Sequence, residues 1–146
     1  MQIYAKFSRQ DSNLYTFAAL KDDGSVVTWG ISSFGGDSSS VSSKLSSGVS
    51  TIFSTRSAFA ALKDDGSVVT WGYNNGGGDT SSVSSELSSG VSAIYSNDSA
   101  FAALKEDGSV VTWGDVNYGS DSSSVASQLS SGVSTIFSTR YAFAAL

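Results

Sequence analysis

Cysteine and histidine are both absent from this 146-residue chain. That removes thiol nucleophiles, disulfides, the usual zinc ligands and the commonest general base together. Basic charge is scarce: 8 Lys and Arg stand against 13 Asp and Glu, a formal charge of −5, with no basic cluster anywhere. A surface that neutralises phosphates concentrates Lys and Arg on one face, so no nucleic-acid partner is expected. Long apolar runs are missing too, and none approaches the roughly 20 residues that span a bilayer. Met1 to Phe7 shows no charged region followed by an apolar one, which predicts a soluble chain with no membrane partner. The 40% of apolar residues is nevertheless what a folding domain needs.

What the chain does have is a period. Phe-Ala-Ala-Leu begins at Phe17, Phe59, Phe101 and Phe143, and 59−17, 101−59 and 143−101 all equal 42. Each full unit carries Asp-Gly-Ser-Val-Val-Thr-Trp-Gly, with tryptophans at Trp29, Trp71 and Trp113, then an Asp-led serine-rich stretch and Leu-Ser-Ser-Gly-Val. This divides residues 1–146, one repeat domain, into an atypical N-terminal cap (1–16), three repeats (17–58, 59–100 and 101–142) and a partial repeat (143–146). Copies this uniform are expected from recent duplication or from consensus construction.

Within one unit, Ala58 to Lys63 and Ser67 to Trp71 are short apolar runs joined at Asp64-Asp65-Gly66, a strong hairpin signal. Asp79 to Leu87 opens on a helix N-cap residue, sets Val83 and Leu87 four apart and is followed by Gly90, which predicts a short helix held by packing. Val91 to Tyr95 reads as a third strand. Apolar residues alternate onto both strand faces, Val68 with Thr70 and Val69 with Trp71, so both faces are expected to be covered, one by the helix and one by a neighbouring unit. The expected fold class is a β-rich α+β repeat protein of strand-strand-strand-helix units, forming an open solenoid or part of a β-propeller-like ring.

The run Phe-Ala-Ala-Leu-Lys-Asp-Asp-Gly-Ser-Val-Val-Thr-Trp-Gly, its glycine-rich loop and the later Gly-Val-x-x-Ile resemble the regulator of chromosome condensation repeat over residues 14 to 146. The resemblance implies a seven-bladed β-propeller and a role as exchange factor, chromatin binder or protein-interaction platform. The chain departs from that pattern. Ala58, Ala100 and Ala142 stand where the family commonly carries histidine, the unit is shorter, and three units plus a fragment fall below the four to eight blades that close a ring. Several chains closing one ring, or an open stack, follow from that shortfall.

Candidate chemistry is weak by comparison. Asp22-Asp23, Asp64-Asp65 and Glu106-Asp107 are imaginable as acid–base pairs, but each precedes a glycine where a hairpin needs Asp-Gly. Calcium ligation by these and Asp37, Asp79 or Asp121 matches no EF-hand spacing. Phe34-Gly35-Gly36 and Gly76-Gly77-Gly78 lie in no phosphate-loop pattern, and no Gly-x-Ser-x-Gly elbow surrounds the serines. The tryptophans read as a packing layer rather than a sugar- or base-stacking ladder. No enzyme activity, cofactor or metal is expected.

The positions that vary between units remain. Phe34, Tyr73 and Tyr118 lie in the loops after Trp-Gly, and Arg56, Asp98 and Arg140 share another equivalent position. Variable loops on one face of a repeat protein form a recognition surface or record drift at exposed sites. At the ends, Ile3 and Tyr4 lie in a strand-like stretch, Gln2 to Phe7, while Phe143, Ala144 and Leu146 belong to a hairpin strand without its mate. Unpaired strands are templates for another chain. The expected function is a structural repeat scaffold that associates with itself, as ring or filament, through these terminal strands; the alternative is a protein-binding module acting through the loops.

Overall fold

The computed structural model describes residues 2–4, by backbone alone, residue 13 and residues 15–146. Eleven strands form within them: β1 (Gln2–Tyr4), β2 (Thr16–Leu20), β3 (Val26–Gly30), β4 (Val49–Ser54), β5 (Ala58–Lys63), β6 (Val68–Gly72), β7 (Val91–Ser96), β8 (Ala100–Lys105), β9 (Val110–Gly114), β10 (Ile136–Ser138) and β11 (Phe143–Ala145). They make four small antiparallel sheets, ordered β1-β2-β3, β4-β5-β6, β7-β8-β9 and β10-β11. A sheet draws its first strand from the end of one 42-residue period and its other two from the next. Most of the expected cap over 1–16 lies outside the described residues.

Strand pairing repeats residue for residue. Phe17 faces Trp29, Phe59 faces Trp71 and Phe101 faces Trp113. The hairpin turn explains the Asp-Gly requirement: Gly66 sits at φ 75, a left-handed value that L residues rarely adopt. Asp65 Oδ1 accepts from the Ser67 amide at 2.9 Å and the Ser67 hydroxyl at 2.6 Å.

The sheets stack face to face, and the stacking builds the core. Ala18, Leu20 and Val26 on one face of the first sheet pack against Ile52, Phe59, Ala61, Val69 and Trp71 of the second. The opposite face of the second sheet, with Phe53, Ala58, Ala60, Leu62 and Val68, packs against Ile94, Phe101, Ala103, Val111 and Trp113 of the third. The third closes on Val133, Ile136 and Phe143 in the same manner. Each of the first three sheets thus has a backward face built on a Phe–Trp pair, and the forward faces of the first three are rich in alanine and aliphatic side chains. We call one such contact a joint.

The first two joints are each tied by an indole. Trp71 Nε1 donates to the Gly35 carbonyl and Trp113 Nε1 to the Gly77 carbonyl, both at 3.1 Å. Glycine is required at the acceptor, because a Cβ at Gly77 would lie 2.5 Å from Phe101 Cδ2. The alternating burial of β6, with Val69 and Trp71 buried, is the expected signature of a sheet covered on its backward face.

The fold class expected from sequence is corrected here: among the described residues the protein is all-β and contains no α-helix, only short 3-10 turns. The segment expected as a helix, Asp79 to Leu87, is a run of turns. Asp79 Oδ1 does accept from the Ser81 amide at 2.8 Å, as an N-cap would. Beyond it the backbone closes mostly three residues apart, as in Val83 N–H to Thr80 O at 3.0 Å, with a single four-residue bond from Leu87 N–H to Val83 O at 3.1 Å. Serine explains the failure. Ser84 and Ser88 hydroxyls donate to the Ser81 and Ser85 carbonyls, competing with the helical ladder in a segment already too short to nucleate. The second cover of each sheet is therefore another sheet, not a helix, while Leu45 and Leu87 still anchor the turns in the joints at 1% and 2% exposure.

Candidate functional site

The outer faces of the first and last sheets are the ones that no other described sheet covers. On the first sheet the backward face holds Trp29, 45% exposed, and Val27, 50% exposed, whereas the equivalent Trp71 and Trp113 are each 3% exposed. Trp29 stacks on Phe17 at 5.5 Å, but among the described residues its indole N–H meets no acceptor. On the last sheet, Phe143 and Ile136 turn backward into the third joint. Its forward face presents Phe137 at 60%, Ala144 and Leu146 at 74% exposure. These occupy the places of Phe53, Ala60 and Leu62, which in the second sheet cover the third sheet's Phe–Trp face.

Of the residues assigned to self-association from sequence, Ala144 and Leu146 thus lie on this open face. Phe143 points into the interior instead, since strand alternation puts it one residue out of phase with them. Ile3 and Tyr4 fall in β1, opposite Ala19 and Ala18, and their side chains are outside the described residues. Val27, Trp29 and Phe137 were not assigned to self-association from sequence; Trp29 was read there as part of a packing layer.

The variable residues gather at one edge of the sheets. There, the turns joining β4 to β5 and β7 to β8 are clasped to the loops after Trp-Gly: Thr55 Oγ1 donates to the Gly76 carbonyl at 2.8 Å, and Asn97 Nδ2 to the Tyr118 carbonyl at 2.7 Å. Phe34 and Tyr73 come together, ring centroids 6.2 Å apart, and Tyr15 joins Phe34 at 5.4 Å. Tyr118 is apart from them and pairs with Tyr141 at 5.3 Å. Tyr15 and Tyr141 were missed from sequence; they stand where the middle units have Ser57 and Ser99.

Arg56, Asp98 and Arg140 touch one another rather than forming an open patch. Asp98 is 2% exposed, and its Oδ2 lies 2.8 Å from Arg140 Nε and 3.4 Å from Arg56 Nε. The Arg56 amide also donates to the Asp98 carbonyl oxygen at 2.9 Å. Equivalent positions of three successive units thus form a charge column along the stack. Arg140 also lies 5.4 Å from the centre of the Tyr141 ring.

The acidic residues of the hairpins are engaged in their own turns. Hydrogen bonds from the Ser25 hydroxyl and amide hold the Asp23 carboxyl down to about 2, and those from Ser67 and Ser109 lower Asp65 and Asp107 in the same way. A depressed folded value means stability that is complete above the ordinary aspartate range and is lost as pH falls through the folded value. The urea midpoint is expected to hold from pH 7 to about pH 5 and to drop between about pH 4 and 2. A midpoint unchanged at pH 2 would contradict this role of the turn carboxylates.

Among the described residues no group of three acidic side chains is arranged to hold a metal ion. A cleft of about 360 Å³ between the serine-rich turns is lined by Lys44, Lys63, Ser67, Thr80, Ser84 and Ser88 over Val68, Val69 and Leu87, with no carboxylate in it. Its Lys63 ammonium donates to the Lys44 carbonyl at 2.9 Å. No described helix is long and apolar enough to cross a membrane. Neither protein-family models nor curated proteins give a match to this chain.

Proposed function

We propose that this protein is a non-enzymatic structural repeat scaffold that associates with itself through its terminal units. The observation carrying this reading is the pair of end faces. Phe137, Ala144 and Leu146 at one end, and Val27 and Trp29 at the other, are the two halves of a contact that the chain already makes between its own sheets. The partner is a second copy, whose first sheet takes the place of a further unit. Such a contact is heterologous: it closes a ring where the rotation between units allows and extends a filament where it does not. The strand order of each unit, an Ala-Leu strand, an Asp-Gly turn and a Val-x-x-Trp-Gly strand, is consistent with a short variant of the chromosome condensation repeat.

A lysine at Ala144 places an ammonium in the middle of the forward face, at an exposed position that costs the monomer little. Ala144→Lys is therefore expected to be monomeric at concentrations where the parent chain assembles, with an unchanged circular dichroism spectrum. Continued assembly of the variant would remove the end face from the proposal.

A second reading, a protein-binding module, is favoured by the aromatic edge, where Tyr15, Phe34 and Tyr73 form one group and Tyr118 and Tyr141 another. Alanine at both Tyr73 and Tyr118 separates the two. Under the stacking reading the molar mass in solution is unaffected, whereas loss of assembly would move the contact to this edge.

A further inference from the structure

We infer that the cleft between the serine-rich turns is a binding site for a small anionic polyol, a sugar bearing one phosphate, with Lys44 and Lys63 holding the phosphate. It is independent of the proposed stacking, because the cleft lies where the first two units meet and not on an outer face of the first or last sheet.

The charge of the lining runs against that of the protein. The chain carries a formal charge of −5, yet this cleft is lined by two lysines and no carboxylate. Lys21, Arg56 and Arg140 are paired with carboxylates elsewhere. Lys63 and Lys105 donate to the carbonyls of residues 44 and 86, at 2.9 and 2.7 Å. Among the described lysines and arginines, Lys44 alone has a partner of neither kind. The carboxylates nearest in sequence are engaged by serines of their own turns: Asp65 by Ser67, Asp79 by the Ser81 amide and Glu86 by the Ser85 hydroxyl. Two ammonium side chains on one concave surface set up a local positive field, and lysine meets phosphate as a point charge.

The hydroxyls decide what the rest of the ligand is. The Ser67 hydroxyl gives its proton to Asp65 at 2.6 Å, and those of Ser84 and Ser88 give theirs to the Ser81 and Ser85 carbonyls at 3.4 and 2.7 Å. Their oxygens keep lone pairs and have no proton left to donate. Such a surface takes hydrogen bonds from the hydroxyl groups of a polyol and offers a bare anion little. Beneath it Val68, Val69 and Leu87 give an apolar floor for the C–H face of a sugar ring. The volume, about 360 Å³, lies at the lower end of the range for small-molecule sites, which matches one ring and its phosphate.

The following unit supplies an internal comparison. Glu86 stands 42 residues beyond Lys44, and Lys105 stands 42 beyond Lys63. The tie from lysine to turn carbonyl is present in both units, so a glutamate at position 44 is compatible with the turn and with its tie. What changes is the sign of the one charge that has no partner.

The test is a titration of glucose-6-phosphate into the full chain, followed by amide NMR, with glucose and inorganic phosphate as parallel titrants. Saturable shifts confined to amides around residues 44, 63–69 and 80–88 are expected, with a Kd of about 1 mM, and each of the two parallel titrants should bind about tenfold more weakly or worse. Lys44→Glu should weaken glucose-6-phosphate by about tenfold or more while leaving the rest of the spectrum in place. Glucose binding as tightly as its phosphate would show that the lysines are not read, and inorganic phosphate binding as tightly would remove the polyol surface. Either result, no saturable shift by about 10 mM, or undiminished binding by Lys44→Glu overturns the inference.

Discussion

Alanine at Trp113 is expected to lower the unfolding free energy by about 3–5 kcal/mol, and alanine at Trp71 by a similar amount. At Trp29, the same substitution in the same repeated motif should cost only about 1 kcal/mol. The difference comes from the neighbours. Trp71 and Trp113 are 3% exposed, stack on a phenylalanine and donate to a glycine carbonyl of the preceding unit. Removing either opens a cavity in a joint and leaves that carbonyl without its donor. Trp29 is 45% exposed, stacks on Phe17 and, among the described residues, has no acceptor for its indole N–H. Urea unfolding of dilute protein, with unchanged slopes, measures all three. Equal losses would mean that the first sheet is covered in the monomer, contrary to its exposed backward face.

The charge column gives the second large effect, with an asymmetry that decides its nature. Replacing both Arg56 and Arg140 by alanine leaves Asp98 buried at 2% exposure without its two cations, which is expected to cost about 3 kcal/mol. Replacing Asp98 by alanine leaves two guanidiniums that are 39% and 49% exposed and can turn to water, so about 1 kcal/mol is expected. Added salt should recover part of the loss in Asp98→Ala, where like charges remain, and little in the double arginine variant. A larger loss from Asp98→Ala than from the double variant would show that the carboxylate holds the turn by contacts other than the arginines.

Much of this architecture is legible in the sequence because it depends on local rules. Phe17, Phe59, Phe101 and Phe143 give the period, Asp-Gly at Gly24, Gly66 and Gly108 gives the turns, and the apolar runs around Ala60 and Val69 give the strands. The helix expected at Asp79 to Leu87 fails because the cap and the Val83–Leu87 spacing outweighed the serines in that reading, whereas in the folded chain the hydroxyls take the carbonyls a helix would need. Position within the stack is not local. Trp29 and Trp71 have the same neighbours in sequence, and only the presence of a preceding sheet separates a half-exposed ring from a buried one. Variation at Arg56, Asp98 and Arg140, read from sequence alone, fits recognition or drift at exposed sites. Its sign pattern, opposite charges 42 residues apart, was the available signal that these residues meet one another. Tyr15 and Tyr141 show how far residue type alone reaches, since what groups them with Phe34 and Tyr118 is the clasp between turn and loop.

The central claim is that the two end faces are complementary halves of the internal joint. Light scattering after size exclusion, over a concentration series of the unmodified chain, tests it directly. The account predicts a molar mass that rises with concentration, without limit for an open stack or to a fixed multiple for a ring. A mass that stays at the 15.0 kDa of one chain throughout would contradict it.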